Sequence, residues 1–147
     1  MKENLTGDII FHHRISIQTR FSDVDPLGHV NNSVLFQYFD SGRIHYFQDV
    51  MPKTVPWNEL PLVLVHISAD FLLPALFDAK LAVETKTLEF GKKSLKMIQR
   101  LIDEDTGETK SVCRTILSGF DPKTNTSLVI PESLKRIFMN YEQNGGK

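Results

Sequence analysis

Asp23, Asp25, His29, Asn31 and Asn32 fall together in the stretch Ser22-Asp23-Val24-Asp25-Pro26-Leu27-Gly28-His29-Val30-Asn31-Asn32. If a helix begins at the end of this stretch, its first backbone N–H groups and the positive end of its dipole can stabilise a developing oxyanion. A carboxylate held beside such donors and partly desolvated can act as a general base or as a nucleophile. The same residue types are also what an ordinary turn and helix N-cap use, so residue chemistry alone leaves both readings open. Other groups offer less. Asp23 and Asp25 with one His lack a full ligand set, so no metal site is expected. His12 and His13 are neighbours in a strand-like run and point to opposite faces; both read as surface residues. His66, Ser68 and Asp70 share one strand face at about 7 Å steps and cannot converge on one carbonyl, so they line the sheet or a subunit contact. Cys113 reads as a small core filler.

The elements that must position the stretch follow from periodicity. His12 to Arg20 alternates polar with apolar residues and predicts a strand over about 12–20. Ser33 to Val50 places Leu35, Phe39, Gly42, Tyr46 and Val50 at helical steps, with Phe36, Arg43 and Phe47 in an adjacent row, which predicts a long buried helix. Gly42 costs about 1 kcal/mol against Ala in a helix and makes sense where another backbone comes close. Beyond a connector from Pro52 to Pro61, strands are expected over 62–73, 80–90, 92–102 and 109–120, joined by separators short enough for antiparallel hairpins. In the first of these, Val63, Val65, Ile67, Ala69 and Phe71 are expected on one face and His66, Ser68 and Asp70 on the other. A short helix from Glu132 to Tyr141 and a frayed tail over 142–147 complete a single α+β domain spanning 1–147. So little helix leaves a sheet face or edge bare, which predicts a homodimer or homotetramer.

Composition limits the partners. Of 147 residues 41% are apolar and 24% charged, with 17 basic against 18 acidic residues and a net charge of −1, too apolar and too balanced for a disordered chain. The chain has no long basic run, so neither nucleic acid nor an anionic membrane is an expected partner. A single cysteine forms no internal disulfide, Met1 to Asp8 mixes charged with polar residues, and no window approaches a membrane span; a cytoplasmic location is expected. No P-loop or GxGxxG supports nucleotide or hydride chemistry.

The run from Arg20 to Asn32, followed by Phe36 through Asp40 and Arg43, resembles the signature of the hotdog-fold acyl-CoA thioesterases of the 4-hydroxybenzoyl-CoA thioesterase type. Val65 to Phe71, Glu89-Phe90-Gly91-Lys92-Lys93-Ser94-Leu95 and Val129-Ile130-Pro131 fall where that family has comparable features, so the resemblance covers nearly the whole chain. It implies an antiparallel sheet wrapped around one central helix, with Asp25 as the catalytic carboxylate. It implies that the backbone N–H of Asn32 meets the thioester oxygen, and that Lys92 and Lys93, with Ser94, meet coenzyme A phosphates. Those lysines read equally well as solvated hairpin residues. The loop is also similar to that of plant acyl-acyl-carrier-protein thioesterases, in which an Asp, an Asn and a His act together; Leu27 stands at the Asn position here, which leaves His29 as a partner for Asp25 without the full triad.

The expected reaction is hydrolysis of an acyl-CoA to a free acid and coenzyme A, with Asp25, His29 and Asn32 as catalytic groups and Asn31 shaping the loop. Coenzyme A enters as substrate carrier and no bound cofactor is implied. Leu35, Phe36, Phe39 and Phe71 are expected as walls for an apolar acyl group. The alternatives are an acyl-carrier-protein thioester as substrate, or a non-catalytic acyl-binding module on the same fold.

Overall fold

The computed structural model describes residues 5–147; Met1 to Asn4, part of the N-terminal stretch considered above, lie outside the described residues. Strand β1 (His13–Ile17) leads through a 3-10 turn at Phe21–Asp23 to helix α1 (Asn32–Val50), and a second 3-10 turn at Trp57–Glu59 precedes the remaining strands. These are β2 (Leu62–Phe71), β3 (Leu81–Phe90), β4 (Ser94–Asp103), β5 (Thr109–Asp121) and the two-residue β6 (Thr126–Ser127), followed by helix α2 (Glu132–Gln143). The sheet runs β1-β3-β4-β5-β2, with β6 on β5, and every pairing is antiparallel. It curls around α1 in the hotdog arrangement.

Two core clusters divide α1 along its length. Leu35, Tyr38 and Phe39 pack with Val30, Ala75, Leu81, Val83, Leu101 and Cys113 at the N-terminal end. Tyr46, Phe47 and Met51 pack with Leu95, Met97, Leu117, Ile130, Leu134 and Phe138 at the other. Cys113 is the core filler expected of it. Between the clusters lies Gly42, where a Cβ would come within 2.5 Å of Val83 Cγ1 and 3.1 Å of Gln99 Nε2. The close approach foreseen there is therefore made by side chains of β3 and β4 and not by a backbone. Gln99 is itself fully buried, and its amide donates to the Phe39 carbonyl at 2.9 Å and to Thr85 Oγ1 at 3.0 Å, tying sheet to helix.

Several expectations are corrected. In β2 the register slips between Leu64 and His66 on β5, so the face pattern reverses at Val65: Leu62 and Leu64 share the inner face with Ile67, Ala69 and Phe71, and Val63 moves outward with His66, Ser68 and Asp70. His13 is buried, not a surface residue, because it faces inward from β1 and its Nε2 lies 2.7 Å from Asp49 Oδ2 near the end of α1. The tail does not fray at 142. Helix α2 continues to Gln143, and the buried Glu142 carboxylate accepts from Tyr46 O–H at 2.6 Å and Thr87 N–H at 3.0 Å. Outside the sheet, Arg114 donates to the Leu5 carbonyl at 2.9 Å and Arg100 lies 4.5 Å from the Phe11 ring centroid, which fastens the N-terminal segment to the outer face.

Candidate active site

The Asp-Pro-Leu-Gly sequence builds its own turn. Gly28 N–H donates to the Asp25 carbonyl at 3.0 Å, Asp25 N–H to the His29 carbonyl at 2.9 Å, and Gly28 takes φ of 78°, the left-handed residue that closes such a loop without a Cβ penalty. Pro26 presets the second position of the turn. The Asp25 side chain caps it from inside, Oδ1 accepting from Leu27 N–H at 2.9 Å and His29 N–H at 3.0 Å. One carboxylate oxygen is thereby fixed, while Oδ2 has no hydrogen-bond partner among the described residues. Val24 and Val30 pair across the base of this loop, and His29 bridges to Leu76.

The loop delivers the chain directly into α1. Asn31 is the N-cap, in extended conformation and without a side-chain cap bond, and Asn32 is the first helical residue. Val34 and Leu35 N–H both donate to the Asn31 carbonyl, and Asn31 N–H donates to the Asp23 carbonyl. The N–H groups of Asn32 and Ser33 are left without acceptors among the described residues, at the positive end of a 19-residue helix.

Asp25, His29, Asn31 and Asn32 share one cleft of about 410 Å³, walled by Val30, Leu35 and the Phe71–Ala75 segment. Phe36 stands edge-on to Phe71, with centroids 6.1 Å apart. Phe39 is completely buried and is core, not a wall of the cleft. A second hollow, lined by Phe21, Val24, Pro26, Gly28 and Phe77, reaches Asp25 from the other side, and Phe21 and Leu27 around it are 86% and 77% exposed.

Lys92, Lys93 and Ser94 do not join this cleft within one chain. They lie in and beside the β3–β4 turn, where Lys92 and Lys93 carbonyls accept from Ile130 and Gly119, and Lys93 Nζ donates to Ser127 Oγ at 3.2 Å. That turn adjoins the cluster at the C-terminal end of α1, and a 19-residue helix is roughly 28 Å long. Among the described residues no group of three or more His, Cys, Asp or Glu could hold a metal.

Asp23 belongs to the polar stretch that residue type singles out, but its partner Tyr38, 15 positions further on, does not. Asp23 Oδ2 accepts from Tyr38 O–H at 2.6 Å and from Arg20 N–H at 2.9 Å. Burial works against the Asp23 charge, but the hydrogen bonds from Tyr38 and Arg20 and the Arg20 guanidinium together outweigh it and hold the carboxyl below its usual range. Burial, with the Asp23 carboxylate as acceptor, pushes the Tyr38 phenol up to about 12. In sequence Tyr38 reads only as one more bulky residue of α1.

A curled antiparallel sheet around one long helix defines the hotdog class of folds. Residues 19–138 match the Thioesterase-like superfamily, and the chain belongs to that family. A thioesterase of Thermus thermophilus, crystallised with coenzyme A and Zn, is 29% identical and superposes with a TM-score of 0.79 over 90% of this chain and 96% of that one. A 1,4-dihydroxy-2-naphthoyl-CoA thioesterase of Synechocystis, 14% identical, has the same fold, with a TM-score of 0.74 over 87% of this chain and 96% of that one. The uncharacterized protein YsmA of Bacillus subtilis (strain 168) is 30% identical over 87 residues, which span 59% of this chain and 57% of that protein. Among the described residues no helix is long and apolar enough to cross a membrane.

Proposed function

We propose that the chain hydrolyses an acyl-CoA to the free acid and coenzyme A, with Asp25 as the reacting carboxylate. The observation that carries this reading is that a carboxylate with one fixed and one free oxygen shares a cleft with the acceptor-free N–H groups opening α1. A thioester carbonyl placed against Asn32 and Ser33 N–H would develop its negative charge where the helix dipole favours it. Asp25 Oδ2 then either attacks the carbonyl carbon, expelling the coenzyme A thiolate and leaving a mixed anhydride that water hydrolyses to the free acid and the regenerated carboxylate, or takes a proton from a water that attacks the carbonyl, after which the thiolate leaves and takes up that proton. His29, whose ring has no hydrogen bond among the described residues, is free to orient that water, and Asn31 sets the direction in which the helix opens. Coenzyme A is favoured as carrier by the Thermus thermophilus relative, whose structure contains it.

The lysines enter through a second copy of the chain. Strand β2 is an exposed sheet edge, with its Leu62 end beside the Lys92–Lys93 turn and its Phe71 end at the cleft. Antiparallel pairing of β2 with its copy about a two-fold axis brings the partner's turn toward this cleft, where the partner's Lys92 and the partner's Lys93 would meet the phosphates. A two-fold pair of chains, as a homodimer or within a homotetramer, is the assembly that this reading requires, and a cytoplasmic location goes with it.

The test is thiol release from a panel of short, long and aromatic acyl-CoAs by wild type and Asp25→Asn. The variant should lose about 100-fold or more in kcat with KM little changed, as removal of a base or nucleophile does. Wild-type turnover in Asp25→Asn overturns the assignment. Release from acyl-carrier-protein but from no acyl-CoA would move the substrate to that carrier, and release from neither would favour an acyl-binding module.

A further inference from the structure

Asp23 fastens the loop at three places at once. Its carboxylate holds Arg20 N–H at the end of the incoming segment and Tyr38 O–H on the body of α1, while its carbonyl holds Asn31 N–H at the N-cap. Asp25 stands two residues further on, and the Val24–Val30 bridge ties its turn to the same base. The separation between the Asp25 carboxylate and the open amides of Asn32 and Ser33 therefore depends on where Asp23 sits against the helix.

We infer that Asp23 and Tyr38 form a clip that positions the Asp25 carboxylate relative to the oxyanion-binding N–H groups of α1; the inference rests on the reading of Asp25 given above. Neither residue lines the Asp25 cleft. Both face a separate polar hollow with Arg20, Gln37 and Ser41 that shares no lining residue with the cleft, so their effect on catalysis runs through geometry and not through contact with substrate. The bond joins an ionised acceptor to a neutral donor, the class that is shorter and roughly twice as strong as a neutral pair. Because the Tyr38 phenol keeps its proton up to about 12 and Asp23 stays ionised below the usual carboxylate range, the clip remains closed throughout neutral pH. A Tyr38 that only filled space would need no carboxylate opposite its hydroxyl. Its ring is 7% exposed and would pack as well without the oxygen.

The experiment compares Tyr38→Phe, Asp23→Ala and Asp23→Asn, alone and in the Asp25→Asn background, with decanoyl-CoA and benzoyl-CoA as probes. Tyr38→Phe and Asp23→Ala should lower kcat about ten- to 100-fold with KM within about two-fold, since an ångström of misplacement suffices for such losses. Asp23→Asn keeps an oxygen acceptor for Tyr38 and should recover most of the loss. In the Asp25→Asn background none of the three should reduce the residual rate further, because the clip acts through Asp25. Full turnover by Tyr38→Phe alongside an inactive Asp25→Asn overturns the clip and leaves the role of Asp25 standing, whereas full turnover by Asp25→Asn overturns that role. Amide hydrogen exchange decides the clip without substrate. Tyr38→Phe should speed exchange at Leu27, His29 and Asn31 about ten-fold or more while β4 amides stay unchanged, and unaltered exchange at those three refutes it.

Discussion

Asp25 shows how one residue can satisfy a turn with one carboxylate oxygen and leave the other free. Its Oδ1 is consumed by Leu27 and His29 N–H, as an Asp at the start of a turn commonly is, and only the second oxygen is without a partner among the described residues. That is why the turn reading and the catalytic reading cannot be separated by residue type, and why the cleft and the open helix end were needed to favour the second. Partners distant in sequence were hidden for a different reason. His13 meets Asp49 and Glu142 meets Tyr46 and Thr87 through contacts spanning 36 to 96 positions, so nothing local marks them as buried. The phenols carry a prediction at this scale. Burial raises all of Tyr38, Tyr46 and Tyr141, with Asp23 or Glu142 carboxylates adding to it, and burial also pushes the Cys113 thiol up to about 12. A group with a raised folded pKa contributes stability that is whole below its unfolded value and is lost as pH climbs through the folded one. The native protein should therefore show no phenolate absorbance step near pH 10, and ionisation should coincide with loss of circular dichroism at higher pH. A step near 10 in the folded protein that vanishes in Tyr38→Phe would mean that Asp23 does not hold that hydroxyl.

At the scale of elements, the helix and the succession of strands along the chain follow from pattern, while the strand faces and the place of β2 in the sheet do not: despite the short separator before β3, β2 pairs with β5 at the sheet edge and β3 takes β1 instead. Alternation across β2 is broken by one unpaired residue at Val65, and a bulge of that kind leaves no mark in a run of Val, Leu and Ile. Helix α1 was legible from its apolar rows, and Gly42 correctly marked a close approach, though its neighbours are the side chains of Val83 and Gln99. Gly42→Ala puts two effects in opposition. Alanine gains about 1 kcal/mol in helix propensity. The new methyl would meet Val83 Cγ1 at 2.5 Å, and Val83 is β-branched, fully buried and unable to turn away, so overpacking should cost about 1–3 kcal/mol. A net loss is expected in urea denaturation. Adding Val83→Ala should make the pair less unstable than the sum of the singles, and a Gly42→Ala protein more stable than wild type would show that the sheet yields there.

For the whole molecule, the question is what covers the β2 edge. Its residues are exposed along most of their length, with Val63, Leu64, Val65 and Phe71 among the large apolar groups open to solvent. Unpaired edges of that character invite strand pairing, and natural sheets usually blunt them with charge or proline, neither of which stands between Leu62 and Ala69. The outer face is partly dressed by the segment from Leu5 to Phe11 and the helix face by α1 itself, so the edge is the surface with most to gain from a second copy. The proposed shared site points the same way, because one chain places its lysine turn and its Asp25 cleft toward opposite ends of α1. Wild type should sediment at twice the 16.8 kDa chain mass. Val65→Lys sets a charge near the middle of β2, close to its own counterpart in a two-fold antiparallel pair, where like charges repel. The variant should sediment as a single chain with unchanged far-ultraviolet circular dichroism, and should lose most of its acyl-CoA turnover through a raised KM, since the phosphate-binding lysines would come from the partner. A wild-type protein that is monomeric and fully active would refute the shared site and require both ends of the substrate to be held by one chain.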